Sequence, residues 1–339
     1  MRPYRLSFIG FGNVGRALAR LLVSKSTELR DNYGIEWEIT GVATRRMGWR
    51  ASQQALDVSN LLSGADETKA VNGIDEFLAL AKPDVVFETT SLNPATGQPA
   101  IDYLRASLGA GAHAITANKA PIVYAYDELN AIAIAKGQRF LFESTVLDSA
   151  PVFSLFRECL PAARVRGFSG IFNSTTNVIL ETMEAGRSFS EGVKAAQDLG
   201  VAETDPSYDV DGWDSIMKVC AIARVILRVP LLPDAVRREG IRELDAATLQ
   251  AARVEGRPYK LVSRVTISGD DLLATVRPEQ VAAGDPLAGV RGTSLAAHFE
   301  LDTIPGLTIV SHRPNLQSTA YGLLADFINA ADQSRIKVP

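Results

Sequence analysis

Tyr4-Arg5-Leu6-Ser7-Phe8-Ile9-Gly10-Phe11-Gly12-Asn13-Val14-Gly15 is the stretch on which the fold turns. Tyr4 to Ile9 alternates and is rich in apolar residues, the pattern of a buried first strand. Three glycines follow at once, and Val14 to Val23 then takes up helical periodicity. Glycines placed this way allow the tight turn, the close approach of backbone to a pyrophosphate, and helix–strand packing, with the phosphates at the helix N-terminus. A lone G-x-G-x-x-G is weak, and a plain glycine turn is the simpler alternative. The strand before it and the helix after it give the motif its weight. Gly10, Gly12, Asn13, Val14 and Gly15 are the expected cofactor contacts.

Working outward, the second strand is expected to end near Ile39-Thr40-Gly41-Val42-Ala43. An NAD-specific protein usually presents an Asp or Glu there for the ribose hydroxyls. This chain reads Thr44-Arg45-Arg46 instead. Two guanidinium groups and no acid favour a 2′-phosphate, so NADP(H) is expected over NAD(H), the alternative being two solvated arginines. Strand and helix keep alternating: Asp84–Glu88 as strand, Gly97–Leu108 as helix, His113–Thr116 as strand, Tyr126–Ala135 as helix, Phe140–Phe142 as strand. That order predicts a parallel sheet with helices on both faces, a Rossmann-type α/β domain. Thr89, Thr90 and Ser91 follow the third of these strands, where hydroxyls face the cofactor crevice. Lys119 follows the next strand at the same edge and can polarise a carbonyl there, although a surface lysine is the commoner fate.

Length and composition bound the rest. The 339 residues, 46% hydrophobic and 22% charged, suit a soluble globular chain of two domains or one large one. A net charge of -4 gives no electrostatic reason to expect nucleic acid. Cys159 and Cys220 form no metal or redox motif, and His113, His298 and His312 are scattered, so a zinc site is not expected. The N-terminus lacks a signal peptide's long apolar region, and the run VCAIARVILRVPLLP is broken by Arg224, Arg228 and two prolines. No membrane span is expected, and the location follows as cytoplasmic.

Beyond Pro151 the alternation stops. A strand at Val165–Phe172 leads into helices around Asn177–Ala185 and Ser190–Leu199, then a loop carrying Glu203, Asp205, Asp209 and Asp211. A helix from about Asp214 to Arg228 places Asp214 and Lys218 on one face. Strand patterns follow at Lys260–Ile267, Asp271–Val276, Ala297–Leu301 and Leu307–Val310, then a closing helix at Thr319–Ala330. Strands after helices predict an α+β domain with an open, largely antiparallel sheet. Such a sheet often pairs with its copy, which makes a homodimer the expected assembly. An acid-rich loop feeding a helix with one lysine suits a cationic small molecule undergoing proton transfer. The bland alternative is a solvated loop and an ordinary helix salt bridge.

The stretch from Asn173 to Lys218, NSTTNVIL then AQDLGVAETDPSYDVDGWD then IMK, resembles homoserine dehydrogenase, whose signature is close to N-G-T-T-N-x-I-L, A-x-x-L-G-x-A-E-x-D-P-x-x-D-V-x-G-x-D and Lys. The fingerprint, the ETT segment, TANKAP and FESTV extend the likeness over most of the chain. The resemblance implies NAD(P)H-dependent interconversion of L-homoserine and L-aspartate 4-semialdehyde, on the route to threonine and methionine. It implies that Lys218 exchanges the proton on the reacting oxygen, that Lys119 polarises the same group, and that Asp214 orients the substrate. Glu203 and Asp209 would meet its amino end or shape the pocket, and Thr175, Thr176 and Gly200 would line the cofactor–substrate junction. A Na+ or K+ ion would sit on carbonyls around Glu143 and Val146. Asp205 and Asp211 keep a turn-building role. Hydride transfer to an aldehyde needs a positive group and a proton at the developing alkoxide, which fits a lysine pair.

The chain departs from the family at Ser174, which replaces a glycine, at Leu147-Asp148-Ser149-Ala150, and at Ser311–Ser318, where a Gly-Ala-Gly segment is usual. The last departure means either different backbone contacts to the nicotinamide or a different substrate. By the resemblance, residues 1–148 form the dinucleotide domain, completed by 311–339, and residues 149–310 form the substrate and dimerisation domain. Nothing beyond the closing helix leaves room for an appended regulatory domain, so feedback through one is not expected. Rival readings are a related dehydrogenase acting on another amino-acid aldehyde or imine, and a catalytically silent NAD(P)-sensing module.

Overall fold

Leu6 and Phe8 of the first strand, β1 (Tyr4–Ile9), point to one face of a sheet, and Ile9 to the other. The computed structural model that contains it describes residues 2–65, 68–269 and 271–331. The chain divides into two units, Met1–Ser149 with Asn315–Pro339, and Ala150–Pro314.

In the first unit β1 is joined by β2 (Trp37–Thr44), β3 (Gly48–Ala51), β4 (Ala70–Val71), β5 (Val85–Glu88), β6 (His113–Thr116) and β7 (Phe140–Leu141). Their order is β4-β3-β2-β1-β5-β6-β7. The pairs β1–β2, β1–β5, β5–β6 and β6–β7 are parallel. The expected parallel sheet is therefore present, with an addition: β3 and β4 form an antiparallel edge. These two short strands carry too little periodicity to be legible in the sequence. The order reverses at β1, so the crevice for a ligand opens between the carboxyl ends of β1 and β5.

Apolar residues fill both faces. On one, Leu6, Phe8, Ile39, Val85 and Phe87 meet Leu18 and Leu22 of the helix Asn13–Ser24 and Leu323 and Phe327 of the closing helix Leu316–Ala331. On the other, Ile9, Ala43 and Val86 meet Phe77 and Leu78. Each buried Leu or Phe contributes about 1.5–3 kcal/mol. That outweighs the roughly 1 kcal/mol of a missing N-cap, which is how the helix Asn13–Ser24 stands on Gly12 without a capping side chain.

Three helix starts in this unit differ from expectation. The closing helix expected from Thr319 begins at Leu316, where the Asn315 side chain accepts from the Gln317 and Ser318 N–H groups. The helix expected from Gly97 begins at Ala100, because Gly97 has a φ of +69° and a turn precedes it. The helix expected from Tyr126 begins at Ala120, with a break at Ala125, since Pro121 fits the first helical turn.

In the second unit β8 (Val165–Ile171), β9 (Arg237–Arg238), β10 (Tyr259–Ser268), β11 (Asp271–Gln280), β12 (Leu295–Leu301) and β13 (Leu307–Ser311) lie in the order β13-β12-β8-β10-β11-β9. All neighbours are antiparallel except β9 and β11. β11 runs four residues past the expected Val276, through Pro278. β9 pairs only at Thr275 and Val276, so the missing Pro278 N–H faces an edge. The helix Ser174–Glu184 packs with Phe189–Asp198, which opens on a capping box of Ser188 and Glu191. The helix expected over Asp214–Arg228 runs from Trp213 to Ile222 and then widens into a π-helical turn at Ala223–Leu227. A helix at Ala246–Val254, capped by Asp245, was not legible in the sequence.

Candidate active site

The three fingerprint glycines meet three different surroundings. Gly10 has a φ of +96°, and a Cβ there would lie 2.5 Å from the Thr89 backbone, so no other residue fits. A Cβ on Gly12 would meet nothing within 4 Å, which leaves that backbone open to a ligand. At Gly15 it would lie 2.8 Å from the Gly10 carbonyl, so this glycine sets the approach of helix to strand. Asn13 and Val14 fill the first turn between them, and that turn carries no acidic residue to compete with an anion. Thr89 donates its hydroxyl to the Gly10 carbonyl at 2.7 Å, tying the end of β5 to the glycine turn.

Around this turn lies a cleft of about 820 Å³, lined by Gly10, Gly12, Arg45, Arg46, Thr89, Thr90, Ser91 and Tyr103 among others. Arg45 and Arg46 form the exposed tip of the β2–β3 hairpin, pinned by Met47 N–H donating to the Thr44 hydroxyl at 2.9 Å. The Arg45 guanidinium lies 3.5 Å from the Ser91 hydroxyl across the cleft mouth. At the neighbouring edge, Lys119 begins the helix Ala120–Ala135 and is half-buried. Beside it Asn118 is buried, and its Nδ2 has no hydrogen-bond partner among the described residues. An orphaned donor at the carboxyl edge of β6 and an open glycine backbone at β1 both fit a bound dinucleotide.

In the second unit the structure draws a tight cluster from residues far apart in the chain. Asn173 caps the helix Ser174–Glu184: its Oδ1 accepts from Thr176 N–H at 2.9 Å. That bond fixes the amide so that Nδ2 donates to Asp209 Oδ1 at 2.7 Å and to Asp214 Oδ2 at 3.1 Å. Lys218 Nζ pairs with Asp214 Oδ2 at 3.1 Å and donates to the Phe172 carbonyl. The Thr175 hydroxyl lies 2.7 Å from the Val201 carbonyl and 3.0 Å from Asp209 Oδ2. Burial, and then the neighbouring Asp214 carboxylate, push the Asp209 carboxyl above the usual range; Asn173, Thr175 and Lys218 pull it back in part. Asp209 and Asp214 thus share the Asn173 amide, and Asp214 also holds the Lys218 ammonium.

Other expected residues are placed differently. Thr176 is buried and its hydroxyl bonds the Asn173 carbonyl, so it serves the helix start. Glu203 is exposed, and its backbone carbonyl accepts from Gln197 Nε2 at 3.2 Å. Gly200 ends the helix Phe189–Asp198 with a φ of +72°. Asp205 accepts from Ser207 N–H at 3.0 Å, and Asp211 pairs with Arg242 at 2.5 Å, both as turn and surface partners. Ser174 donates to the Thr293 carbonyl at 2.7 Å, so its hydroxyl is absorbed by the fold. Sequence reasoning gave Asn173 no role; its signal was an Asn three residues before a helical Thr, a capping pattern.

Glu143 and Val146 are buried around a short helical turn after β7, where Glu143 N–H donates to Asp326 at 2.8 Å. Ser144 donates to the Thr319 carbonyl at 2.8 Å. Among the described residues no group of three or more His, Cys, Asp or Glu could hold a metal ion. Nor is any helix among them long and apolar enough to cross a membrane. Cys159 is exposed, while burial pushes the Cys220 thiol up to about 12, leaving it unreactive.

Both units have counterparts among known proteins. Residues 10–143 match the model of the homoserine dehydrogenase NAD-binding domain, and residues 151–328 match that of homoserine dehydrogenase. An NAD(+)-dependent homoserine dehydrogenase of Pseudomonas canavaninivorans is 32% identical, covering 97% of this chain and 96% of the relative. A solved structure from Archaeoglobus fulgidus, assigned as a homoserine dehydrogenase, superposes with a TM-score of 0.84 at 30% identity, covering 96% and 98% of the two chains. A hyperthermophilic archaeal homoserine dehydrogenase in complex with NADPH gives a TM-score of 0.81 at 27% identity, covering 100% and 99%. Matched through both units in sequence and in backbone, this chain belongs to the homoserine dehydrogenase family.

Proposed function

We propose that this protein is an NADP(H)-dependent homoserine dehydrogenase, interconverting L-homoserine and L-aspartate 4-semialdehyde by hydride transfer. The observation that carries the proposal is the cluster of Asp209, Asp214 and Lys218 held by Asn173. A small zwitterion with a hydroxyl has one group for each part of it: the ammonium for the carboxylates, the reacting oxygen for the lysine. In this role Lys218 takes the hydroxyl proton as the alcohol is oxidised and returns it in the reverse direction. Asp214, 3.1 Å from Lys218 Nζ, orients that amine and shares the substrate's ammonium with Asp209. Lys119 polarises the oxygen, and Glu203 and Thr175 complete the substrate contacts. The bound dinucleotide supplies or accepts the hydride. Gly200 and Thr176 belong to its surroundings by resemblance alone.

NADP(H) is preferred here because Arg45 and Arg46 border the cleft beside Ser91 where an acid would serve the ribose of NAD. The Pseudomonas relative is named NAD(+)-dependent and the archaeal one binds NADPH, so the family accommodates both. A Na+ or K+ ion on the Glu143 and Val146 carbonyls, a homodimer built on the second sheet, a domain boundary near residue 149, a cytoplasmic location and a place in threonine and methionine synthesis complete the proposal. The test is homoserine-dependent reduction of NADP+ and of NAD+, followed by absorbance with and without added Na+ or K+. Turnover with NADP+ exceeding that with NAD+ is expected. Dinucleotide binding without turnover would favour a sensor, and turnover with another amino alcohol alone would favour a related dehydrogenase.

A further inference from the structure

Glu88, the last residue of β5, is fully buried at the edge of the crevice. Its Oε1 accepts from the Thr90 N–H at 2.8 Å and from the Thr90 hydroxyl. Its Oε2 accepts from the Thr116 hydroxyl at 2.6 Å. Thr116 Oγ in turn accepts from Asn118 N–H at 2.9 Å, and Asn118 Oδ1 accepts from Ala120 N–H at 3.2 Å. A backbone N–H can only donate, so the Thr116 oxygen takes the Asn118 proton, and its own hydroxyl hydrogen is available to Glu88. The three donors to Glu88 are threonine groups, none of them charged, and burial pushes its carboxyl above the usual range while these bonds pull it back. A buried carboxyl without a cation among its partners is costly to keep for packing alone.

What this carboxyl joins is specific. One oxygen holds Thr90, in the cleft-lining turn after β5. The other holds, through Thr116, the turn Ala117–Asn118 that begins the Lys119 helix. We propose that Glu88 is a positioning residue that sets two lips of the crevice, the Thr90 turn toward the dinucleotide and the Asn118–Lys119 turn toward the reacting group. The part concerning Lys119 rests on the dehydrogenase activity proposed above; the part concerning the dinucleotide does not.

The two branches can be cut separately in the full chain. Thr90→Val removes the hydroxyl of one branch and Thr116→Val that of the other, while Thr90→Ser and Thr116→Ser restore each. Thermal unfolding of every variant establishes that it is folded. Fluorescence titration with NADPH and the homoserine-dependent reaction are then measured. Loss of one hydrogen bond to a charged group predicts about a tenfold effect. Thr90→Val should weaken NADPH by about that factor. Thr116→Val should lower kcat by about that factor with NADPH affinity within about twofold, and both serine variants should approach wild type. Equal NADPH affinities for the two valine variants, or serine variants no better than valine, would overturn the proposal. Should wild type itself not turn over homoserine, the dehydrogenase assignment fails, and the NADPH split alone still decides the dinucleotide branch.

Discussion

In the cleft of the first unit, the glycine turn presents backbone, and at Gly12 that backbone lies beside open space. Around Asp214 in the second unit the groups are side chains, and these already hydrogen-bond one another before any substrate arrives. In the proposed function the first arrangement receives a pyrophosphate, which needs N–H groups and room, and the second holds charge in a fixed place, which a pre-bonded network supplies without reorganisation. Substitutions should accordingly act in different ways on the two sides.

The largest effect is expected at the end of the network. Lys218→Ala should lower kcat for homoserine by about 10²–10⁴-fold while NADPH affinity, read by fluorescence, stays near wild type. A parallel loss of NADPH affinity would break the separation drawn above. A smaller effect is expected at the cleft. Arg45→Ala combined with Arg46→Ala should weaken NADPH by about tenfold or more and leave NADH nearly as it was. Equal losses for the two dinucleotides would show that these exposed guanidinium groups do not read the 2′-phosphate.

The smallest effect sharpens the electrostatic side. Asp209 has a folded pKa raised by burial and by Asp214. The folded protein therefore holds that proton more tightly than the unfolded chain does. The stabilisation this gives is complete below the ordinary carboxylate pKa and is lost as pH rises through the raised folded value. Asp209→Asn should remove that fall, giving a flatter melting temperature against pH across the window just above the ordinary carboxylate range. The same slope in wild type and variant would mean that other groups carry it.

Legibility in the sequence follows the same division. The glycine fingerprint, β1, β5 and β6 were readable because local backbone geometry demands particular residues at particular spacings. So were Asp214 and Lys218 on one helix face, since four residues make one turn. The edge strands β3 and β4 were not: four and two residues long, β3 exists because β2 offers an edge to pair with, and β4 because β3 then does. Among the loop acids, spacing alone treated Glu203 and Asp209 alike. The fold separates them, leaving Glu203 exposed and joining Asp209 to Asp214 through one amide.

Local spacing along the chain was enough to read the alternation of β1, β2, β5, β6 and β7 with helices, the dinucleotide turn and the family resemblance. Only the tertiary structure decided that Asn173, 36 and 41 residues from its two acidic partners, holds them together, and that Glu88 bridges two turns of the crevice. The physical reason is that hydrogen bonds and desolvation depend on distance in space, and residues remote in the chain acquire that distance only when β5, β6, β8 and the helices around them pack.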